Sequence, residues 1–328
     1  MDYQTFIQKI RELTAEALGS AYRVELSAVP KNNGVMMDAI MIFREEENIA
    51  PTIYLRPCYE SYRQHQSVRD SVKEIVDRYF CSLPKSWTGF TEFTDPDRVS
   101  DRIVFRLINY EKNRELLAGV PHRRFLNLAL VYCVQLESDQ IGTASVLVKN
   151  ALLENWDMDE QELASLAGKN TQRLLPYCFL PLSELMRRVG SDLSETSCEE
   201  EWPETDEGEM PVYALTNRSC SYGAYWITVP ELMKKICSRL RDDVYILPSS
   251  VHECMIVPVQ LHKDADELAS MVRTINREGV DEQEILADCV YRCSRENGAL
   301  EICARLLRIY RRTGPECKQK CEIAPLTV

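Results

Sequence analysis

The sequence predicts an α+β fold, with antiparallel or mixed sheets, strand hairpins and packed amphipathic helices. Three features point there. Strand-like runs come in pairs around turn residues, helices follow them in blocks, and the order strand, strand, helix recurs in the last third. At 328 residues the chain is long enough for two sub-domains and a sizeable core.

Taken in order, Phe6, Ile10, Leu13 and Ala17 recur at helical spacing, so residues 4–18 open the chain as an amphipathic helix. The period then falls to two. Tyr22 to Leu26 and Val35 to Phe43 flank the turn residues PKNNG as a hairpin, with a third strand over Pro51 to Leu55. Val68, Val72, Ile75, Val76 and Tyr79 mark a helix that ends near Leu83-Pro84. Ile103 to Ile108 reads as a strand, Glu111 to Leu117 as a short helix, and Phe125 to Leu136 as a strand buried on both faces. Helices are expected over Thr143 to Trp156 and from Asp159, where Asp159 and Glu162 stand in capping-box relation.

Residues 190–210 carry nine acidic residues and no basic one, which gives an acidic linker or surface loop that cannot bury enough to offset its ordering entropy. Strands follow over Val212 to Thr216 and Tyr222 to Ile227. Thr228-Val229-Pro230-Glu231 then reads as a capping box opening a helix striped by Leu232, Met233, Ile236, Cys237 and Leu240. Val244 to Leu247 and Val251 to Val259 are the next strands, and Asp264 starts a helix with Leu268, Ala269, Val272 and Ile275 inward. Tyr213-Ala-Leu and Tyr245-Ile-Leu sit in corresponding places of a faint repeat. The organisation expected is an N-terminal unit over 1–189, the acidic segment 190–210, a C-terminal unit over 211–312 and a tail over 313–328.

Composition narrows the function classes. With 39 basic against 51 acidic residues, the net charge of −12 repels phosphate backbones, so a nucleic-acid role is not expected. Arg305, Arg308, Arg311 and Arg312 are spaced like the wet side of a helix. No apolar run is long enough to span a bilayer, and no signal peptide is visible. The 13 cysteines therefore read as reduced thiols of a cytoplasmic protein.

The densest polar stretch is YILPSSVHECMIVPVQLH, Tyr245 to His262. On a strand, Ser250, His252 and Cys254 share one face, while Val251, Glu253, Met255 and Val257 share the other. Adjacent same-face residues are about 7 Å apart, long for direct proton transfer between Ser250 and His252. Glu253, among apolar neighbours, needs a cation, backbone donors or a raised pKa. Ser250, His252 and Glu253 are the catalytic candidates, Ser249 and Asn217 the binding candidates, with Asp242 nearby. Zincin, deaminase, nucleophile-elbow, P-loop and dinucleotide patterns are all missing, and 12 glycines leave few phosphate-cradling loops. Cys289 with Cys293, and Cys317 with Cys321, are weak zinc candidates, because thiols four apart also share one helix face as small apolar groups. No cofactor is expected.

The phrases LTNRSCSYGAYWI, YILPSSVHE and VDEQEILADCVY, with RIVFRLINYEKNRELLAGVPHRRFLNLALVY and LENWDMDEQELASLAGKNT upstream, resemble an uncharacterised bacterial family catalogued as domain of unknown function 5688. The resemblance runs from about Gly34 to Tyr291 and implies an intracellular bacterial protein. It carries over no catalytic residue or cofactor. The cysteines around Cys289 and Cys293 depart from the pattern. A non-enzymatic binding or regulatory module with a protein partner is the first expectation for function. The alternative is a hydrolase or nucleotide-acting enzyme built on Ser249, Ser250, His252 and Glu253.

Overall fold

The structure, a computed structural model, describes residues 1–44, 51–64, 67–82, 95–138, 142–187, 212–248, 250–262 and 264–305. It is α+β with three antiparallel sheets. Residues 190–210, Cys317 and Cys321 lie outside the described residues, as do the arginines beyond Arg305.

The N-terminal layer begins with α1 (Tyr3–Leu18), whose N-cap Asp2 accepts the Thr5 N–H at 2.9 Å. Strands β1 (Tyr22–Pro30) and β2 (Met36–Arg44) pair from Tyr22 opposite Arg44 to Pro30 opposite Met36, and β3 (Thr52–Tyr54) adds to β2. The hairpin turns through Asn33 at φ 62° and Gly34 at φ 72°, a left-handed pair that Asn and Gly tolerate best. Helices α2 (Leu55–Arg63) and α3 (Val68–Ser82) close this layer. Phe6, Ile10, Ile40, Ile42, Leu55 and Ile75 form its own apolar core.

In the middle sheet, β4 (Ile103–Asn109) lies along one edge of β6 (Leu128–Ser138), while β5 (His122–Phe125) and β7 (Gly142–Leu147) share the other. Two expectations change here. The single strand predicted over Phe125 to Leu136 is broken into a hairpin at Leu126, φ 55°, although β6 is buried on both faces from Leu128 through Val134 except at the half-buried Leu130. The helix predicted from Thr143 starts only at Asn150, because the open edge of β6 takes Gly142–Leu147 as a strand. Helix α4 (Glu160–Leu174) keeps its predicted capping box on Asp159 and Glu162.

The six-stranded sheet runs β13-β12-β10-β11-β9-β8, with β8 (Tyr177–Pro181), β9 (Tyr213–Asn217), β10 (Val244–Leu247), β11 (Cys254–Pro258), β12 (Cys289–Cys293) and β13 (Leu300–Arg305). It takes β8 from before the acidic segment and β9 from after it. Its helices are α5 (Pro230–Leu240) and α6 (Ala265–Gly279). Residues of the middle and six-stranded sheets share one apolar cluster, with Leu107, Tyr132, Leu215, Ile246 and Tyr291 inside it.

Further expectations are corrected. Gly223–Thr228 is a 3-10 helix, not part of a strand: a Cβ at Gly223 would sit 2.5 Å from the Asn217 nitrogen, and that close approach folds the chain back on β9. Val229 takes the N-cap place of α5 with no side-chain bond, so the capping box at Thr228 does not form, although Pro230 opens the helix. Ile275 is exposed on α6, and Asn276 is buried in its stead. Arg305 ends a strand. Cys178 also departs from the reduced reading, since it is disulfide-bonded.

Candidate functional site

The stretch from Ser250 to Glu253 is not a strand. Ser250 makes a single bridge to Ile285, and the chain bends at Val251 and His252 before β11 begins at Cys254. The cause lies in two loops that take the backbone groups a neighbouring strand would have used. The Val251 N–H donates to the Glu284 carbonyl at 2.8 Å, and the Ala224 N–H donates to the Val251 carbonyl. The His252 carbonyl accepts the Gly223 N–H and the Thr216 hydroxyl, both at 2.9 Å. The alternation that separates Ser250, His252 and Cys254 from Glu253 therefore does not apply here.

The first loop, Asn217 to Gly223, is organised by Asn217, which is fully buried. Its amide donates to the Ser221 carbonyl at 2.6 Å, and its Oδ1 accepts from the Ser219 hydroxyl and the Ser221 N–H. The closed turn delivers Tyr222 in a left-handed conformation, φ 57°, with its ring centroid 5.1 Å from that of His252 and the two rings tilted by 50°. The Tyr222 N–H donates to His252 Nδ1 at 3.2 Å, which assigns the ring proton to Nε2, and that edge faces Glu284 Oε1 at 3.5 Å. The Arg106 guanidinium carbon of β4 lies 3.5 Å from the Tyr222 ring centroid. The site is thus assembled from widely separated stretches of the chain.

Ser250 is buried, and its oxygen accepts the His252 backbone N–H at 2.9 Å. Its hydroxyl lies against the Glu253 carboxyl. Burial pushes that carboxyl above its usual range; His252 and the Ser250 hydroxyl pull it down, and Glu284 adds a like charge that pushes it up. Of the accommodations expected for Glu253, the raised pKa is the one that the fold supplies. Asp242 is engaged elsewhere, its carboxylate accepting the Gln260 N–H at 2.8 Å, and Ser249 lies outside the described residues. Arg106, Tyr222 and Glu284 are not among the sequence candidates. The only local signal for them is the turn-rich NRSCSYG, since the other two partners come from distant segments.

The second loop, Glu282 to Asp288, is held by asparagine side chains. Asn32 donates to the Gln283 carbonyl at 2.6 Å, and Asn33 donates to the Glu282 and Ile285 carbonyls, both at 2.7 Å. Asn109 donates to the Leu286 carbonyl and Asn276 to that of Ala287. Asn113 in turn accepts the Asn33 N–H and donates to Asn33 Oδ1. One loop therefore gathers bonds from the N-terminal hairpin, the middle sheet and α6, and it presents Glu284 to His252.

Cys289 and Cys293 open and close β12, and the Cys293 sulfur is 3.5 Å from that of Cys237 on α5. Among the described residues, no three His, Cys, Asp or Glu side chains are grouped to hold a metal ion. No helix among them is long and apolar enough to cross a membrane.

These features define an antiparallel α+β scaffold whose polar centre is locked by loop-to-loop hydrogen bonds. The chain belongs to the Family of unknown function (DUF5688), whose model matches residues 3–295. No curated protein matches it. No solved structure matches it either.

Proposed function

We propose that the protein is a non-enzymatic binding or regulatory module that acts on a protein partner, in the cytoplasm of a bacterium. One observation carries the reading: both ring nitrogens of His252 are engaged, Nδ1 by the Tyr222 N–H and Nε2 by Glu284. A general base needs a lone pair aimed at a substrate proton, and this ring offers none. Ser250 does not meet the His252 ring; it bonds the His252 backbone. The charge of −12 favours a partner with a basic surface over a phosphate backbone.

The other reading, a hydrolase or nucleotide-acting enzyme, rests on the Ser250 hydroxyl beside the raised Glu253 carboxyl. Two measurements separate the readings. The purified chain is assayed against ester, phosphomonoester and nucleotide substrates, and tagged full-length chain is used to isolate complexes from the native host. A stoichiometric protein partner without turnover supports the binding module. Turnover abolished by both His252→Gln and Glu253→Gln overturns it.

A further inference from the structure

Cys237 near the end of α5 and Cys293 at the end of β12 are both fully buried, and their sulfurs lie 3.5 Å apart. They are 56 positions apart in the chain, so the contact belongs to the tertiary fold and not to local structure. The Cys237 sulfur is also 3.8 Å from the Cys293 carbonyl oxygen, and the Cys293 sulfur is 3.8 Å from that of Ser294. The elements carrying the two thiols brace each other. Beyond β12 the chain turns back through the Gly298 N–H, which donates to the Ser294 carbonyl at 2.8 Å, and a Cβ at Gly298 would stand 2.5 Å from the Pro230 carbonyl oxygen at the start of α5.

A lone thiol in a core serves well as a small apolar group. Here two sulfurs touch, and a disulfide needs only that they close to about 2.05 Å, an approach of about 1.5 Å that rotation about the two Cα–Cβ bonds can share. The contact also sorts the thiols. Hydrogen bonding from Cys293 holds Cys237 below the usual thiol range, against burial and the Asp243 charge, while the same contact and burial push Cys293 up. Cys237 is therefore the readier nucleophile, and Cys293 the thiol that follows. Cys178, on β8 of the same sheet, is itself disulfide-bonded, so thiols of this chain do pass into the oxidised state.

We propose that Cys237 and Cys293 form a reversible disulfide when the protein meets hydrogen peroxide, which locks α5 to β12. The Cys237 thiol gives up its proton and its sulfur attacks one peroxide oxygen; the O–O bond breaks, hydroxide leaves and takes a proton as water, and Cys237 becomes a sulfenic acid. The Cys293 sulfur then attacks that of Cys237, the S–O bond breaks, and the leaving hydroxide takes the Cys293 proton as a second water. Two thiols lose two electrons and two protons, and the peroxide is reduced to two waters. Both sulfurs are shielded from solvent, which selects a small uncharged oxidant over a bulky one. Cys293 adjoins the exposed residues 295–297, and local opening of that hairpin end is the route in. The pair shares no residue with the Ser250–Glu253 centre, so it stands or falls apart from the protein-binding reading.

The test uses the full natural chain, reduced with dithiothreitol, freed of it and then exposed to graded hydrogen peroxide. Remaining thiols are alkylated, and the peptides are mapped by mass spectrometry without reduction. The expected result is a linked peptide pair joining Cys237 to Cys293, lighter by two hydrogens than the two thiol peptides and lost again on adding dithiothreitol. The oxidised chain is expected to unfold at a urea concentration about 1 M higher than the reduced one, and Cys237→Ala to lose that part of the shift. In Cys293→Ala the sulfenic acid on Cys237 has no partner thiol and is expected to be trapped by dimedone. Peroxide that oxidises the exposed Cys81 and Cys220 and leaves Cys237 and Cys293 as alkylated thiols overturns the proposal. So does linkage of either one to other cysteines instead, a result that the natural chain gives whether or not the variants fold.

Discussion

The N-terminal layer and the six-stranded sheet join the rest of the molecule by different physics. The six-stranded sheet shares one apolar cluster with the middle sheet, so Phe105, Tyr132, Tyr225, Ile246 and Tyr291 are parts of a single dry interior. The N-terminal layer keeps its core to itself and reaches across through the amide groups of Asn32 and Asn33. An apolar junction is strong and indifferent to direction, whereas a junction of side-chain amides and backbone carbonyls is weaker but fixes position to within a hydrogen bond's length. The first makes the body stable. The second sets where the Glu284 loop stands against His252.

The contrast can be broken from either side. The largest effect is expected from Ile246→Ala in the middle of β10, fully buried, which removes apolar volume from the shared interior. A loss of about 2–5 kcal/mol is expected, with the whole shared body unfolding earlier in urea. A loss confined to β10, with the middle sheet keeping its midpoint, would mean the two sheets do not share a core.

A smaller and local effect is expected from Asn33→Gly, which keeps the left-handed turn and deletes only the amide. Losing its bonds to Glu282, Ile285 and Asn113 should cost about 1–3 kcal/mol. Hydrogen exchange should rise in residues 32–34 and 281–288 while β10 stays protected. Uniformly faster exchange across all three sheets would put the polar junction on the same footing as the apolar one.

The smallest effect concerns Glu253. Its carboxyl is raised in the folded chain, so its contribution to stability is full below the unfolded pKa and is lost as pH rises through the folded value. Glu253→Gln removes the ionised form, and should therefore be more stable than the natural chain at neutral pH, with the gain vanishing in acid. Urea midpoints on either side of the carboxylate range test this. A Gln variant that is less stable at neutral pH would show the ionised carboxylate to be favourable where it stands.

The same division explains what can be read from the sequence. Phe6 and Ile10, Leu163 and Ala167, and Leu268 and Val272 repeat at helical spacing and are buried as that spacing requires. The hairpin around PKNNG follows from its turn residues. Gly142–Leu147 escapes such reading because an open strand edge, set by β6, overrides local pattern. Ser250 to Glu253 is legible as a polar centre, but strand alternation gives it the wrong geometry. Its real geometry depends on Tyr222, thirty residues away from His252, and on the Glu284 loop. The asparagine bonds are illegible for a plainer reason: Asn33 and Ile285 are 252 positions apart, and one polar residue paired with a distant carbonyl leaves no periodic trace.

The turn at Asn33 and Gly34 also gives the molecule a chemical age. An asparagine followed by glycine is the pairing most prone to cyclise onto the next backbone nitrogen and lose its amide as ammonia, a known thermal weakness of asparagine. In the fold, that side chain is tied to two carbonyls and to Asn113, and all of these bonds must open before the ring can close. Deamidation there would replace a donor with a carboxylate facing two carbonyl oxygens. Each opening of the junction is thus a chance to make the opening permanent.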